Sequence, residues 1–147
     1  TIQDAIDLSG LNPKWLEIEL TETLALKDVD QAIKQMTELN DIGVKISMDD
    51  FGTGYSSLSY IQVLPINVLK LDRSFIMYLE DDEISRQIVS SVINICKSKK
   101  IGIVAEGIET LGQAQILKSA GCDLAQGYYF GRPMASGAFE EYLRKAQ

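Results

Sequence analysis

Short apolar or alternating runs and longer amphipathic segments succeed one another five times along the chain. The runs WLEIEL (15–20), VKISM (44–48), VLKLD (68–72), IGIVAE (101–106) and CDLAQG (122–127) predict strands. Between them, residues 28–43 set Val29, Ile33, Met36 and Leu39 at helical spacing and stop at Gly43. Residues 83–100 repeat the arrangement with Ile84, Ile88, Val92 and Ile95, closing on lysines that suit a helix C-terminus. A shorter helix is predicted over 110–121, with Thr110 as N-cap and Gly121 as stop, and a last one over 136–147. The opening TIQDAIDLSG reads as the middle of a helix, so a piece of something longer is expected.

Strand, helix, strand in regular succession implies parallel strands joined by right-handed crossovers. An open doubly wound sheet and a barrel both satisfy that rule. The doubly wound nucleotide-binding sheet needs a glycine-rich phosphate loop after its first strand, where this chain has TETLALKD. The polar residues favour the barrel. Glu19 and Glu22, Asp49 and Asp50, Lys70 and Asp72, Glu106 and Glu109, and Gln126 fall at the C-terminal ends of successive strands, which a barrel gathers on one face. A whole barrel takes ~250 residues. The expected fold class is therefore α/β, a partial (β/α)8 TIM-type barrel of about five parallel strands alternating with helices. Residues 1–147 are expected to form a single domain fragment lacking the opening strands.

Composition narrows the chemistry. Twenty-one acidic against 14 basic side chains give a net charge of −7, which argues against a grip on nucleic-acid polymer. There is no histidine, which removes imidazole-assisted nucleophiles and imidazole-based zinc sites. Any metal must be held mainly by oxygen, which selects hard ions such as Mg2+ or Mn2+. Cys96 and Cys122 stand in apolar settings with no CxxC grouping and read as buried free thiols of a reducing compartment. No apolar run approaches the ~20 residues of a membrane span, and the start is neither a signal nor a transit peptide. A cytoplasmic setting is expected, with the parent protein free to carry an anchor.

Adjacent aspartates at a strand end repel each other and lose solvation unless a cation offsets both. Asp49 can bridge two metals and Asp50 hold one; the ordinary alternative is that Asp50 caps the next helix while Asp49 faces solvent. Gly52 and Gly54 allow a tight loop after them, with Thr53, Ser56 and Ser57 hydroxyls available for local bonds. Lys70 lies in an apolar strand, so its ammonium must point into a polar interior or pair with a carboxylate; beside acidic residues it could orient or help deprotonate water or neutralise a phosphate, and the ordinary alternative is an ion pair with Asp72. Glu106 and Glu109 suit a metal ligand and a supporting carboxylate, though helix N-terminal charge also explains Glu109. Gln126 suits a ligand or water contact. This set permits two-metal phosphoester hydrolysis and also metal-stabilised enolate chemistry, and spacing alone does not separate them.

The blocks LEIELTET, MDDFGTGYSSLSYIQVLPINVLKLDRSFI, IVAEGIET and CDLAQGYYFGRPM resemble those of the EAL-domain cyclic di-GMP phosphodiesterases, in order and spacing. The resemblance implies a (β/α)8-type barrel with one reversed strand that opens cyclic di-GMP to linear pGpG using Mg2+ or Mn2+. It implies that Glu19 binds the first metal, Asp49 bridges, Asp50 binds the second, and Glu106 serves the second with support from Glu109. Lys70 would contact the attacking water, Gln126 would join the water and ligand network, and Asp72 lies beside the site. Glu22 would anchor the loop formed by Phe51, Gly52, Thr53, Gly54, Tyr55, Ser56, Ser57 and Leu58, which the family links to a dimer interface. A homodimer and flanking sensory or GGDEF-type domains are implied as partners. The family's Glu-Ala-Leu and a metal-binding asparagine lie upstream of these blocks, so the fragment alone is expected to be inactive. The alternative is an inactive cyclic di-GMP receptor or a protein-interaction and dimerisation module.

Overall fold

A computed structural model describes residues 1–52 and 58–145 and contains one sheet of five parallel strands in the order β1-β2-β3-β4-β5. The strands are β1 (Glu17–Thr21), β2 (Lys45–Phe51), β3 (Val68–Leu71), β4 (Gly102–Ala105) and β5 (Leu124–Ala125). Each crossover carries helix: α2 (Glu22–Ala25) and α3 (Val29–Asp41), then α4 (Leu58–Val63), then α5 (Arg73–Ile76) and α6 (Glu83–Lys99), then α7 (Leu111–Ala120). The helix α1 (Ile2–Ser9) precedes β1, and α8 (Ser136–Lys145) follows β5. This is one side of a TIM-type barrel. Among the described residues, no helix is long and apolar enough to cross a membrane.

The strand periodicity of two sorts the sheet into two chemically different faces. Ile46, Met48, Leu69, Leu71, Ile103 and Ala105 point to the helix layer and are at most 1% exposed. Met36 of α3, Ile61 of α4, Ile93 of α6 and Leu117 of α7 pack over them. Glu19, Ser47, Lys70 and Val104 alternate with that apolar set and take the opposite face. The core is thus a sandwich of sheet and helices, and the polar face is left for chemistry.

The elements differ from expectation in instructive ways. The stripe expected on α6 is displaced: Val89, Val92, Ile93 and Cys96 are buried, whereas Ile84 is 66% exposed. Steps of four residues run roughly 40° ahead of the helix turn each time, so Ile84 and Ile88 rotate off the face that Val92 shares. The last strand shrinks from the six residues 122–127 to Leu124–Ala125. Asp123 is drawn out of the strand to accept from Ile103 N at 2.9 Å. Asn67 does the same two crossovers earlier, accepting from Ile46 N at 2.6 Å. These side chains close backbone bonds at the N-terminal ends of the strands, where the ladder has not yet begun.

Caps define the helix starts. Asp82 accepts from Ile84 N and Ser85 N at the head of α6, and Thr110 with Gln113 forms a reciprocal capping box at the head of α7. Removing the box by Thr110→Ala is expected to lower stability by about 1 kcal/mol, read as a shifted urea midpoint at constant slope.

Burial pushes the Cys96 thiol up to about 11, with the nearby Asp123 and Cys122 adding to it. The folded state therefore keeps a proton that the unfolded chain releases above its ordinary value of 9.0. The resulting stability is complete below that pH and is lost as pH rises toward 11. Chemical denaturation across this range is expected to show the decline, and Cys96→Ala to flatten it.

Candidate functional site

Lys70 is the centre of the polar face. Its Nζ lies 2.9 Å from Glu106 Oε1, 3.0 Å from Asp49 Oδ1 and 3.1 Å from Glu19 Oε1, bringing together the ends of four strands. Burial works against the charged ammonium, but hydrogen bonds and charge from Glu106, Asp49 and Glu19 outweigh it and hold its pKa above the ordinary lysine value. Lys70 is therefore a fixed cation and hydrogen-bond donor at neutral pH, not a base. The alternative of a simple pair with Asp72 does not occur. Gln126 Nε2 donates to Glu106 Oε1 at 2.8 Å, so this one oxygen takes both the ammonium and the amide.

Asp49 reaches the site at a bulge rather than where the strand ends. Met48 pairs with Leu69 and Phe51 with Leu71, so Asp49 and Asp50 together stand opposite Lys70 alone. In a regular strand they would point to opposite faces. The extra residue is accommodated by Asp50 at φ 54°, a left-handed conformation that aspartate tolerates better than most side chains. Beyond the bulge Phe51 returns to the core at 2% exposure. Asp49 is among the carboxylates around Lys70, while Asp50 is exposed and is not.

Glu22, 3% exposed at the start of α2, accepts from Gly52 N at 2.9 Å and so ties the end of β1 to the chain leaving β2. Gly52 has φ 104°, and a Cβ there would fall 1.7 Å from Phe75 of α5. Only glycine meets both conditions. Phe75 in turn stacks on Phe51 at 6.4 Å between ring centres. Thr53, Gly54, Tyr55, Ser56 and Ser57, singled out in the sequence, lie outside the described residues.

Two further predicted site residues sit apart from Lys70. Asp72 caps α5, accepting from Ser74 N at 2.8 Å. Burial pushes its carboxyl up, but the bonds from Ser74 and Arg73 prevail and hold it below the usual value. Glu109, expected to support a metal, pairs with Arg73 Nη2 at 2.8 Å. Its place beyond the β4 turn, three residues after Glu106, carries it past the cluster. A cavity of about 710 Å3 opens beside Glu106 and Gln126, with Arg73 on its wall and Arg132 stacked 4.6 Å above the Tyr128 ring.

Sequence reasoning passed over Ser47, Arg73 and Arg132. Ser47 is fully buried with no hydrogen-bond partner for its hydroxyl among the described residues, and the signal was its place two residues before Asp49 on the same face. Arg73 was legible as the first residue past a polar strand end.

The donor set suits a hard divalent cation in chemistry and charge. Three carboxylates surround one ammonium, leaving two negative charges uncompensated. Asp49 Oδ1 is buried against the Lys70 ammonium at 3.0 Å. Among the described residues no three acidic or thiol groups are spaced for a metal, because the side chains close on the ammonium instead.

The EAL domain profile matches residues 1–133. Cyclic di-GMP phosphodiesterase NbdA of Pseudomonas aeruginosa is 41% identical over 143 residues, which cover 97% of this chain and 18% of that protein. The bifunctional diguanylate cyclase/cyclic di-GMP phosphodiesterase MucR of the same organism is 42% identical over 134 residues, 91% of this chain and 20% of that protein. The chain thus spans about a fifth of the length of these curated relatives. Among solved structures, the MucR phosphodiesterase in complex with c-di-GMP superposes with TM-score 0.84 at 40% identity, covering 94% of this chain and 56% of that one. A manganese and cyclic di-GMP complex of Klebsiella pneumoniae BlrP1 gives TM-score 0.83 at 36% identity, over 90% and 34%. The chain belongs to the EAL domain family.

Proposed function

We propose that this chain carries the catalytic face of a divalent-metal-dependent phosphodiesterase that opens cyclic di-GMP to linear pGpG. The observation that carries the reading is the convergence of Glu19, Asp49 and Glu106 on Lys70 with two negative charges in excess. The similarity to NbdA and MucR, and to structures that hold cyclic di-GMP with manganese, supports the substrate and the metal class. Enolate chemistry has no comparable support.

Glu19, Asp49, Asp50 and Glu106 would hold Mg2+ or Mn2+, with the remaining ligands supplied from outside these residues. Bound ions would polarise the phosphodiester and acidify the attacking water. The chain's own residues do the rest. Lys70, kept charged, donates toward water or phosphate oxygen and holds the carboxylates apart from one another. Gln126 fixes the rotamer of Glu106 through its amide, and Glu22 fixes the backbone directly after the aspartates through Gly52. Homodimerisation and flanking sensory or GGDEF-type domains belong to the same proposal.

In the complete protein that carries these residues, Asp49→Asn is expected to lower conversion of cyclic di-GMP by about a hundredfold or more, followed by chromatography of pGpG. Equal rates would remove the two-metal reading, and tight binding without turnover by the unmodified protein would favour a receptor. The 147-residue chain alone is expected to release no pGpG with manganese.

Asp50→Gly tests the bulge. Glycine adopts the left-handed conformation without strain and removes the carboxylate, so the fold should persist while turnover falls. A loss of stability in urea would show that the Asp50 side chain holds the bulge together.

A further inference from the structure

Arg73 and Glu109 meet across the cavity mouth, and neither contributes to the cluster around Lys70. Their pair at 2.8 Å joins α5, which follows β3, to the turn that follows β4. Both side chains are open to solvent, 58% and 44% exposed, so the pair adds little to global stability. Its position is more telling than its strength. The Arg73 stem lies directly over Gly107: a Cβ on that glycine would come within 2.6 to 3.1 Å of Arg73 Cβ, Cγ and Cδ. Gly107 has φ 73° and immediately follows Glu106.

The opposite side of the same turn is equally confined. A Cβ on Gly127 would fall 2.2 Å from the backbone of Ile108, and Ile108 N donates to Gln126 O at 3.1 Å. Glu109 N donates to Gln113 Oε1 at 2.8 Å, so the end of the turn is tied to α7. Residues 106–109 are therefore held between the β5 end on one side and Arg73 on the other. The first of them is Glu106, whose Oε1 takes both Lys70 and Gln126.

We propose that Arg73 and Glu109 are positioning residues that form a latch over the 106–109 turn, fixing the direction of the Glu106 carboxylate. Glu109 acts through Arg73 rather than by touching metal or substrate. The assignment rests on the phosphodiesterase reading for its catalytic consequence and on geometry alone for the latch.

The test uses the complete protein with Arg73→Ala, Glu109→Ala, the double variant, Arg73→Lys, and the exchanged pair Arg73→Glu with Glu109→Arg. Amide hydrogen exchange at 106–110 is expected to quicken in either single alanine variant and to quicken no further in the double, with melting temperature unchanged. Turnover of cyclic di-GMP should fall between about tenfold and a hundredfold in kcat with KM little changed, as for a misplaced catalytic group. Arg73→Lys and the exchanged pair should recover much of the loss. Unchanged exchange at 106–110 would overturn the latch. So would singles whose effects multiply, a rise in KM at constant kcat, or a manganese activation midpoint that moves in Glu109→Ala but not in Arg73→Ala. If the unmodified protein does not hydrolyse cyclic di-GMP, the phosphodiesterase reading fails while the exchange measurement still decides the latch.

Discussion

One ammonium group in contact with three carboxylates organises this structure. Lys70 stands in a strand whose neighbouring residues, Leu69 and Leu71, are fully buried on the other face. Its side chain is only 13% exposed, so it could not remain charged there without anionic partners. Glu19, Asp49 and Glu106 provide them from β1, β2 and the end of β4. The same contacts cannot satisfy all the negative charge, since one cation faces three anions. The polar face is thus both held together and left with a demand for further positive charge, which is the condition a divalent-ion site requires.

The sheet was legible because its strands alternate cleanly and its crossovers end on good stops. Gly43, Gly121 and the lysines that close α6 stand where the structure ends helices. The short helices α2, α4 and α5 were not legible, since four to six residues show too little of the helical period to be separated from a turn. The buried face of α6 was misread for a related reason: its sequence carries two apolar stripes, and only packing against the sheet selects Val89 and Ile93 over Ile84 and Ile88.

For the site, residue type and strand position were enough to single out Lys70 and the acids around it. What spacing does not encode is direction. Glu109 and Asp72 have the same charge and nearly the same sequence context as Glu106 and Asp49, yet one turns to an arginine and the other to a helix cap. The bulge is the clearest instance. No turn residue marks it, because the distortion is absorbed by an aspartate in a left-handed conformation.

The clips made by Asn67 and Asp123 lie at the opposite ends of the strands from this chemistry. Their side chains accept from backbone N–H groups of the neighbouring strand where no reacting group stands, and the apolar face beneath is shared by every crossover. Integrity and reactivity are thereby lodged at different ends of the same strands. A lineage carrying this fold can alter residues at the reactive end, losing or changing an activity, while inheriting an undisturbed foundation at the other.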